Sequence, residues 1–230
     1  MNAEMLAARV AEVREGIERA MQRAGRTGDV TLVAVTKTHP PEIVQAAIAA
    51  GLTDVGENRV QEMEDKVAVV GRAAVRWHLI GHLQRNKAGK AVELADLVHS
   101  LDSLRLAEAL SKEAHRAGTT VDALVQVNTS GEESKFGLAA DEAVDAVAQM
   151  AELPGLRLRG MMTMAPFTDD QAVIRRTFAA ARRLCDEAAR QVPRIGRQLS
   201  MGMSNDYEIA VEEGSTLVRV GSTLFGERGR

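Results

Sequence analysis

The sequence predicts an α/β protein built as a single (β/α)8 TIM-type barrel. Strand-like and helix-like segments alternate strictly along the chain, and strict alternation argues for a parallel sheet. Eight such units fit into roughly 200 residues, the length of a closed barrel. No Gly-x-Gly-x-x-Gly follows the first strand, which removes the usual dinucleotide-binding reason for an open doubly wound sheet, the alternative architecture.

An amphipathic helix over about 3–24 precedes the barrel. The first strand, 31–36, is the apolar run Leu32 to Val35, read as buried on both faces. A helix at about 41–50 follows and Gly51 closes it. The remaining strands are 53–57, 75–81, 96–102, 120–128, 155–164, 197–202 and a final strand over 215–226. The helices between them are 59–70, 84–95, 103–118, 141–153, 171–190 and the short 205–214. Ser103 is placed to cap the N-terminus of its helix, and Gly118 ends the same helix. No linker or low-complexity stretch interrupts the pattern, so residues 1–230 are taken as one domain.

The bulk numbers narrow the function. The chain has 230 residues, 45% apolar and 27% charged, ordinary for a globular protein with a well-filled core. A net charge of −3 with only 3% aromatics gives no support for nucleic-acid binding. The sole cysteine, Cys185, excludes an intramolecular disulfide and reads as a small buried hydrophobe in a reducing compartment. No apolar run approaches the ~20 residues of a membrane span, and the mixed-charge N-terminus lacks a signal-peptide core. The expectation is a cytoplasmic protein.

In a barrel the chemistry gathers at the C-terminal ends of the strands. Lys37 ends the first strand, on the face shared by Val33 and Val35, which points into the core. "SMGMSND" at 200–206 ends the seventh strand and enters a short helix, so Ser204 and backbone N–H groups meet at a helix start, where anions are favoured. "RVGST" at 219–223 ends the eighth strand and offers Gly221 and Ser222. Each stretch alone reads as a turn, but adjacent strand ends seven and eight are a frequent phosphate site in such barrels. A lysine amine beside a phosphate pocket can form a Schiff base with a phosphorylated aldehyde; in isolation it would be a strand-end lysine with its ammonium in solvent. Arg219 shares a strand face with Gly221. An inward guanidinium has no obvious role in an all-apolar barrel core, and burying it unpaired is costly. A hydrogen bond to a heteroaromatic nitrogen would give it a role; an outward Arg219 is the alternative.

The segments "VAVTKTHP", "GENRVQE", "WHLIGHLQRNK", "VQVNTSGEESKFG", "GLRLRGMMTMAP" and "LSMGMSNDYEIAVEEGSTLVRVGSTLFGER" together resemble the pyridoxal phosphate homeostasis (YggS/PROSC) family of PLP-binding proteins. The resemblance covers nearly the whole chain in the expected order. It implies a fold-type III barrel similar to the N-terminal domain of alanine racemase, with pyridoxal 5′-phosphate as cofactor. It also implies Lys37 as the lysine linked to PLP, Arg219 at the pyridine nitrogen, Ser204, Gly221 and Ser222 at the phosphate, and Asn58 beside the ring.

Other polar residues near the strand ends carry weaker signals. His78 and His82 have a spacing of four but straddle Gly81 at a strand end, so they are read as structural or ring-side histidines, not a zinc pair. Glu57, Glu132, Glu133 and Asp206 are expected near the mouth, with no spacing that dictates acid–base work. "GEESKFG" is expected to form a loop over the mouth, with Lys135 a solvated charge. Two functions follow: a non-catalytic protein of vitamin B6 handling that stores, buffers or delivers PLP, or a fold-type III PLP-dependent amino-acid racemase. Barrel racemases add a C-terminal β-domain with a second acid–base group, and the chain ends a few residues after the last strand, which favours the first. Tyr207, the only tyrosine, is the candidate substitute base. Partners expected are PLP and recipient PLP-dependent apoenzymes, with no nucleic acid or membrane, and a monomer or weak dimer.

Overall fold

The computed structural model describes residues 3–130 and 136–226. Helix α1 (Ala3–Arg23) buries Leu6, Val10, Val13, Ile17 and Ala20, a stripe at three- and four-residue spacing that faces the barrel. The strands are β1 (Thr31–Val35), β2 (Asp54–Glu57), β3 (Arg76–Leu79), β4 (Leu97–Leu101), β5 (Val121–Asn128), β6 (Leu138–Ala139), β7 (Leu156–Met162), β8 (Gln198–Met203) and β9 (Leu217–Val220). The helices between and after them are α2 (Pro41–Ala49), α3 (Val60–Val70), α4 (Ala88–Leu94), α5 (Leu104–Arg116), α6 (Ala143–Ala151), α7 (Gln171–Gln191), α8 (Tyr207–Glu212) and α9 (Ser222–Phe225).

The strands pair in the order β4-β3-β2-β1-β9-β8-β7-β5, and β4 pairs with β5 to close an eight-stranded parallel barrel. Local chemistry accounts for several boundaries. Pro41 opens α2 at its first position, where a missing N–H costs nothing. Ser103 caps α5 by accepting from the Leu106 N–H at 3.3 Å, and Asp170 caps α7 through the N–H groups of Ala172 and Val173.

Three features differ from the sequence reading. The two-residue β6 is an extra strand that pairs only with the end of β5, outside the barrel. The last strand stops at Val220, and 222–225 is a single helical turn in which the N–H groups of Leu224 and Phe225 bond the Gly221 carbonyl at 3.0 and 2.9 Å. The stretch expected as one helix over 84–95 is a tight 3-10 turn at Arg85–Lys87 followed by α4. The loop expected over the mouth falls largely on 131–135, with Glu132, Glu133 and Lys135, outside the described residues.

Alternation divides each strand between two environments. Outward side chains such as Trp77, Leu79, Val98 and Met161 join the helices in the main core, while Leu32, Ala34, Val218 and Val220 pack under α1. Inward side chains Val33, Leu97, Leu124, Met162 and Leu217 plug the barrel in a small cluster of their own. Cys185 is buried on α7, and burial pushes its thiol up to about 11, as a small inert hydrophobe requires. No helix among the described residues is long and apolar enough to cross a membrane.

Candidate functional site

A cavity of about 760 Å³ opens at the C-terminal ends of the strands, and Lys37, Asn58, Ser204, Arg219, Gly221 and Ser222 all line it. The volume suits a small organic ligand. Six residues spread over 186 positions of sequence therefore meet in one space, brought together by four strand ends.

Lys37 sits in the turn just after β1, with Val35 below it in the same wall. The turn is tightly held. Thr38 adopts φ +65, a left-handed conformation that a β-branched residue enters only when its surroundings hold it there. Its N–H donates to Glu62 on α3 at 2.9 Å. Lys66, also on α3, donates to the Thr36 carbonyl at 2.7 Å and to Glu57 Oε1 at 2.6 Å, and the Thr36 hydroxyl donates to the same carboxylate. Glu57 is thus not at the mouth, as expected, but fully buried on the outer side of β2. Burial pushes its carboxyl up despite Lys66 and Thr36. The next residue, Asn58, takes the opposite side of the chain and lines the cavity.

Arg219 faces inward, and the core around it is not all apolar. Its Nη1 donates to the Ser200 hydroxyl and its Nη2 to the Thr163 carbonyl at 3.1 Å. These occupy two of the five N–H groups of a guanidinium. Burial lowers its pKa to about 10, with Asp206 opposing the shift, so it remains a cation at neutral pH.

At the far end, the Ser204 hydroxyl lies between β8 and β9 and accepts from the N–H groups of Gly221 and Thr223 at 3.3 and 3.4 Å. The chain reaches this point through Gly202, at φ +90, where an added Cβ would stand 2.9 Å from the Tyr207 backbone. Asp206 accepts from the Met203 N–H at 2.6 Å and closes the turn. Ser222 begins α9 in the same wall.

At the mouth His82 meets Asp102 at 3.1 Å and stacks on Phe136 with ring centroids 4.5 Å apart. His78 lies elsewhere, deep in the barrel between Asp54 and His99. The two histidines share no ligand, and no cluster of three or more metal-ligating side chains exists among the described residues. Tyr207 is turned away from the cavity: its hydroxyl packs against Gly16 of α1, and burial raises its pKa. It is not placed as a base. Sequence reasoning missed His99 and Ser200, polar residues within strands of otherwise apolar character, and the Lys66–Glu57 pair.

The barrel and its mouth define a class. Residues 9–229 match the family model described as alanine racemase, N-terminal domain. An alanine racemase of Clostridium difficile 630 shares the fold, with a TM-score of 0.75 at 14% identity; the match covers 94% of this chain and 57% of that one. A pyridoxal phosphate homeostasis protein of Aquifex aeolicus is 39% identical over 221 residues, covering 96% of this chain and 97% of its own. The structure of PipY from Synechococcus elongatus PCC7942 with PLP bound superposes with a TM-score of 0.85 at 38% identity, covering 96% of this chain and all of that one. The chain belongs to the pyridoxal phosphate homeostasis family.

Proposed function

We propose that this chain binds pyridoxal 5′-phosphate in the cavity and serves cofactor homeostasis by storing, buffering or delivering it, without turnover. One observation carries the reading. A buried guanidinium with unfilled N–H groups, a lysine amine and a hydroxyl–glycine corner line the same cavity, and these match the ring nitrogen, aldehyde and phosphate of this cofactor. The relatives' names and the PLP bound to PipY support it.

The residues then divide the work. Bound PLP supplies an aldehyde that condenses with a primary amine, and Lys37 supplies that amine. Ser204, Gly221 and Ser222 receive the phosphate through hydroxyl and backbone N–H groups. Asn58 flanks the ring. Arg219 directs an N–H at the ring nitrogen and keeps its proton, since a guanidinium gives one up reluctantly. The ring is left unprotonated and draws electrons weakly, which suits holding the cofactor and ill suits carbanion chemistry. Residues 1–230 act as one PLP-binding domain, in the cytoplasm, as a monomer or weak dimer, with PLP-dependent apoenzymes as recipients.

The test is to load the protein with PLP and incubate it with L-alanine in deuterium oxide. α-Proton exchange and chirality are followed by NMR and chromatography. Cofactor binding without exchange is expected. Exchange or racemisation at an ordinary enzymatic rate of about 1–10³ per second, lost in Lys37→Ala, would replace the carrier by a racemase.

A further inference from the structure

Inside the barrel a chain of hydrogen bonds runs from Arg219 across the lumen to the far strands. Arg219 Nη1 meets Ser200 Oγ, His99 Nδ1 lies 2.9 Å from that oxygen, His99 Nε2 lies 2.9 Å from His78 Nδ1, and His78 Nε2 lies 2.8 Å from Asp54 Oδ1. His78, His99 and Ser200 are completely buried, and Asp54 and Arg219 nearly so. The five residues come from five strands: β2, β3, β4, β8 and β9.

With both rings neutral, a donor-only guanidinium at one end and an acceptor-only carboxylate at the other set the direction of every bond. A guanidinium only donates, so Ser200 Oγ accepts from Arg219. Ser200 Oγ could accept a second bond, but neutral rings that donate toward the Asp54 carboxylate leave His99 Nδ1 as the acceptor of the Ser200 hydroxyl proton. A neutral His99 carries its proton on Nε2 and donates to His78 Nδ1. His78 carries its own proton on Nε2 and donates to the Asp54 carboxylate, which also accepts from the Thr53 hydroxyl at 2.7 Å. Every dipole presents its negative end toward Arg219 and its positive end toward Asp54, so both terminal charges are favoured and the bonds reinforce one another. Protonating either histidine would make His99 Nδ1 a donor to Ser200 Oγ and force the Ser200 proton away from the chain. The charged groups that bear on it are Asp54, with Arg76 behind it at 3.8 Å, at one end, and Arg219, with Asp206 beyond it, at the other. Burial, with the Arg219 charge nearby, holds His99 well below the ordinary histidine pKa.

We propose that Asp54, His78, His99 and Ser200 are positioning residues for Arg219: one directional relay, with both histidines neutral as Nε2–H tautomers, that fixes the orientation of the guanidinium presented to the cavity. A pair of ordinary apolar residues would fill the same lumen, as Val33, Leu97 and Leu124 already do beside it. The polar chain fixes the guanidinium, and Arg219 is the one of its five members that lines the cavity. The inference rests on the proposed PLP site only for its second readout.

The first readout is ¹⁵N–¹H correlation of the histidine rings in the full chain without added cofactor. Two histidines, removed in turn by His78→Gln and His99→Gln, are expected as Nε2–H tautomers, and His99 is expected not to titrate between about pH 5.5 and pH 8. A protonated Nδ1 on either ring, or titration of His99 in that range, would overturn the relay. The second readout compares Ser200→Ala with Ser200→Thr, which restores the hydroxyl. Ser200→Ala should bind PLP about tenfold more weakly, the ratio of ~1.4 kcal/mol, and shift the absorbance band of the bound cofactor; Ser200→Thr should recover both. Wild-type affinity and band in Ser200→Ala would contradict positioning. Should Ser200→Ala fail to fold, the tautomers of the unaltered chain decide. A wild-type chain that binds no PLP would count against the proposed function, and the tautomers would still test the relay.

Discussion

Lys66 and Arg219 are both buried cations beside the cavity wall, one outside the barrel against α3 and one inside it. Lys66 is neutralised at once: a full carboxylate, Glu57, lies 2.6 Å away, and the second bond goes to the Thr36 carbonyl. Its charge is spent on fixing the backbone of the turn that carries Lys37. Arg219 meets only neutral acceptors directly, a hydroxyl and a carbonyl, and its counter-charges Asp54 and Asp206 stand at a remove. It retains N–H groups for something else. An ion pair with direct charge contact anchors the chain, whereas a cation held by oriented dipoles stays available to a ligand.

The contrast breaks most readily at Lys66. Lys66→Met leaves the Glu57 carboxylate buried without a counter-ion, a change that costs about 3–5 kcal/mol. Urea unfolding should show that loss, and it should shrink when Glu57→Gln is added to the same chain. A loss below about 1 kcal/mol, the scale of an exposed pair, would mean that the turn before Lys37 does not depend on the ion pair.

At the phosphate end the effect is smaller and confined to binding. Ser204→Ala removes a hydrogen bond to a charged group, worth about 1.5–3 kcal/mol. Gly221→Val puts a branched side chain where the first carbon alone would lie 3.3 Å from Val35. Both should weaken PLP more than unphosphorylated pyridoxal in parallel titrations; equal weakening of the two ligands would remove the phosphate assignment.

The smallest effect comes from pH. His99 is held below its ordinary pKa of 6.5 in the folded chain, so below pH 6.5 the unfolded state takes up a proton that the folded state refuses. Stability from this group is present above 6.5 and is lost as pH falls below it, by about 1.4 kcal/mol per unit until the folded pKa is reached. His99→Phe should flatten that part of the profile of urea midpoints against pH. An unchanged slope would show that His99 charges freely and that the lumen is not held neutral.

These residues also show what a linear sequence carries and what it conceals. Lys37, Arg219 and Ser204 could be placed because strand alternation and strand ends are one-dimensional signals. The spacing of Arg219 to Gly221 gives a shared strand face but leaves an outward guanidinium open, and the structure turns it inward. The partners of Arg219 could not be placed so. Asp54, His78, His99 and Ser200 meet through the closure and stagger of the barrel, where Gly56 pairs with His78 and His78 with Leu97, and that register is written in no local pattern. "GSTLFG" reads as strand from its composition, yet after Gly221 it coils into a helical turn because the Gly221 carbonyl can accept two N–H groups there. Glu57 is expected near the mouth from its place at a strand end; adjacent strand residues face opposite sides, and Glu57 turns outward to meet Lys66 while Asn58 lines the cavity. Tyr207 opens a helix whose first turn faces α1, a contact between the two ends of the chain.

The most direct test of the central claim is chemical. The protein is loaded with PLP, reduced with borohydride, digested and mapped by mass spectrometry. A pyridoxyl group on Lys37, absent in Lys37→Ala while that variant keeps its fold, is the predicted result. A pyridoxyl group found only on another lysine, such as Lys87, would contradict it and detach the cofactor from the cavity that Arg219 serves.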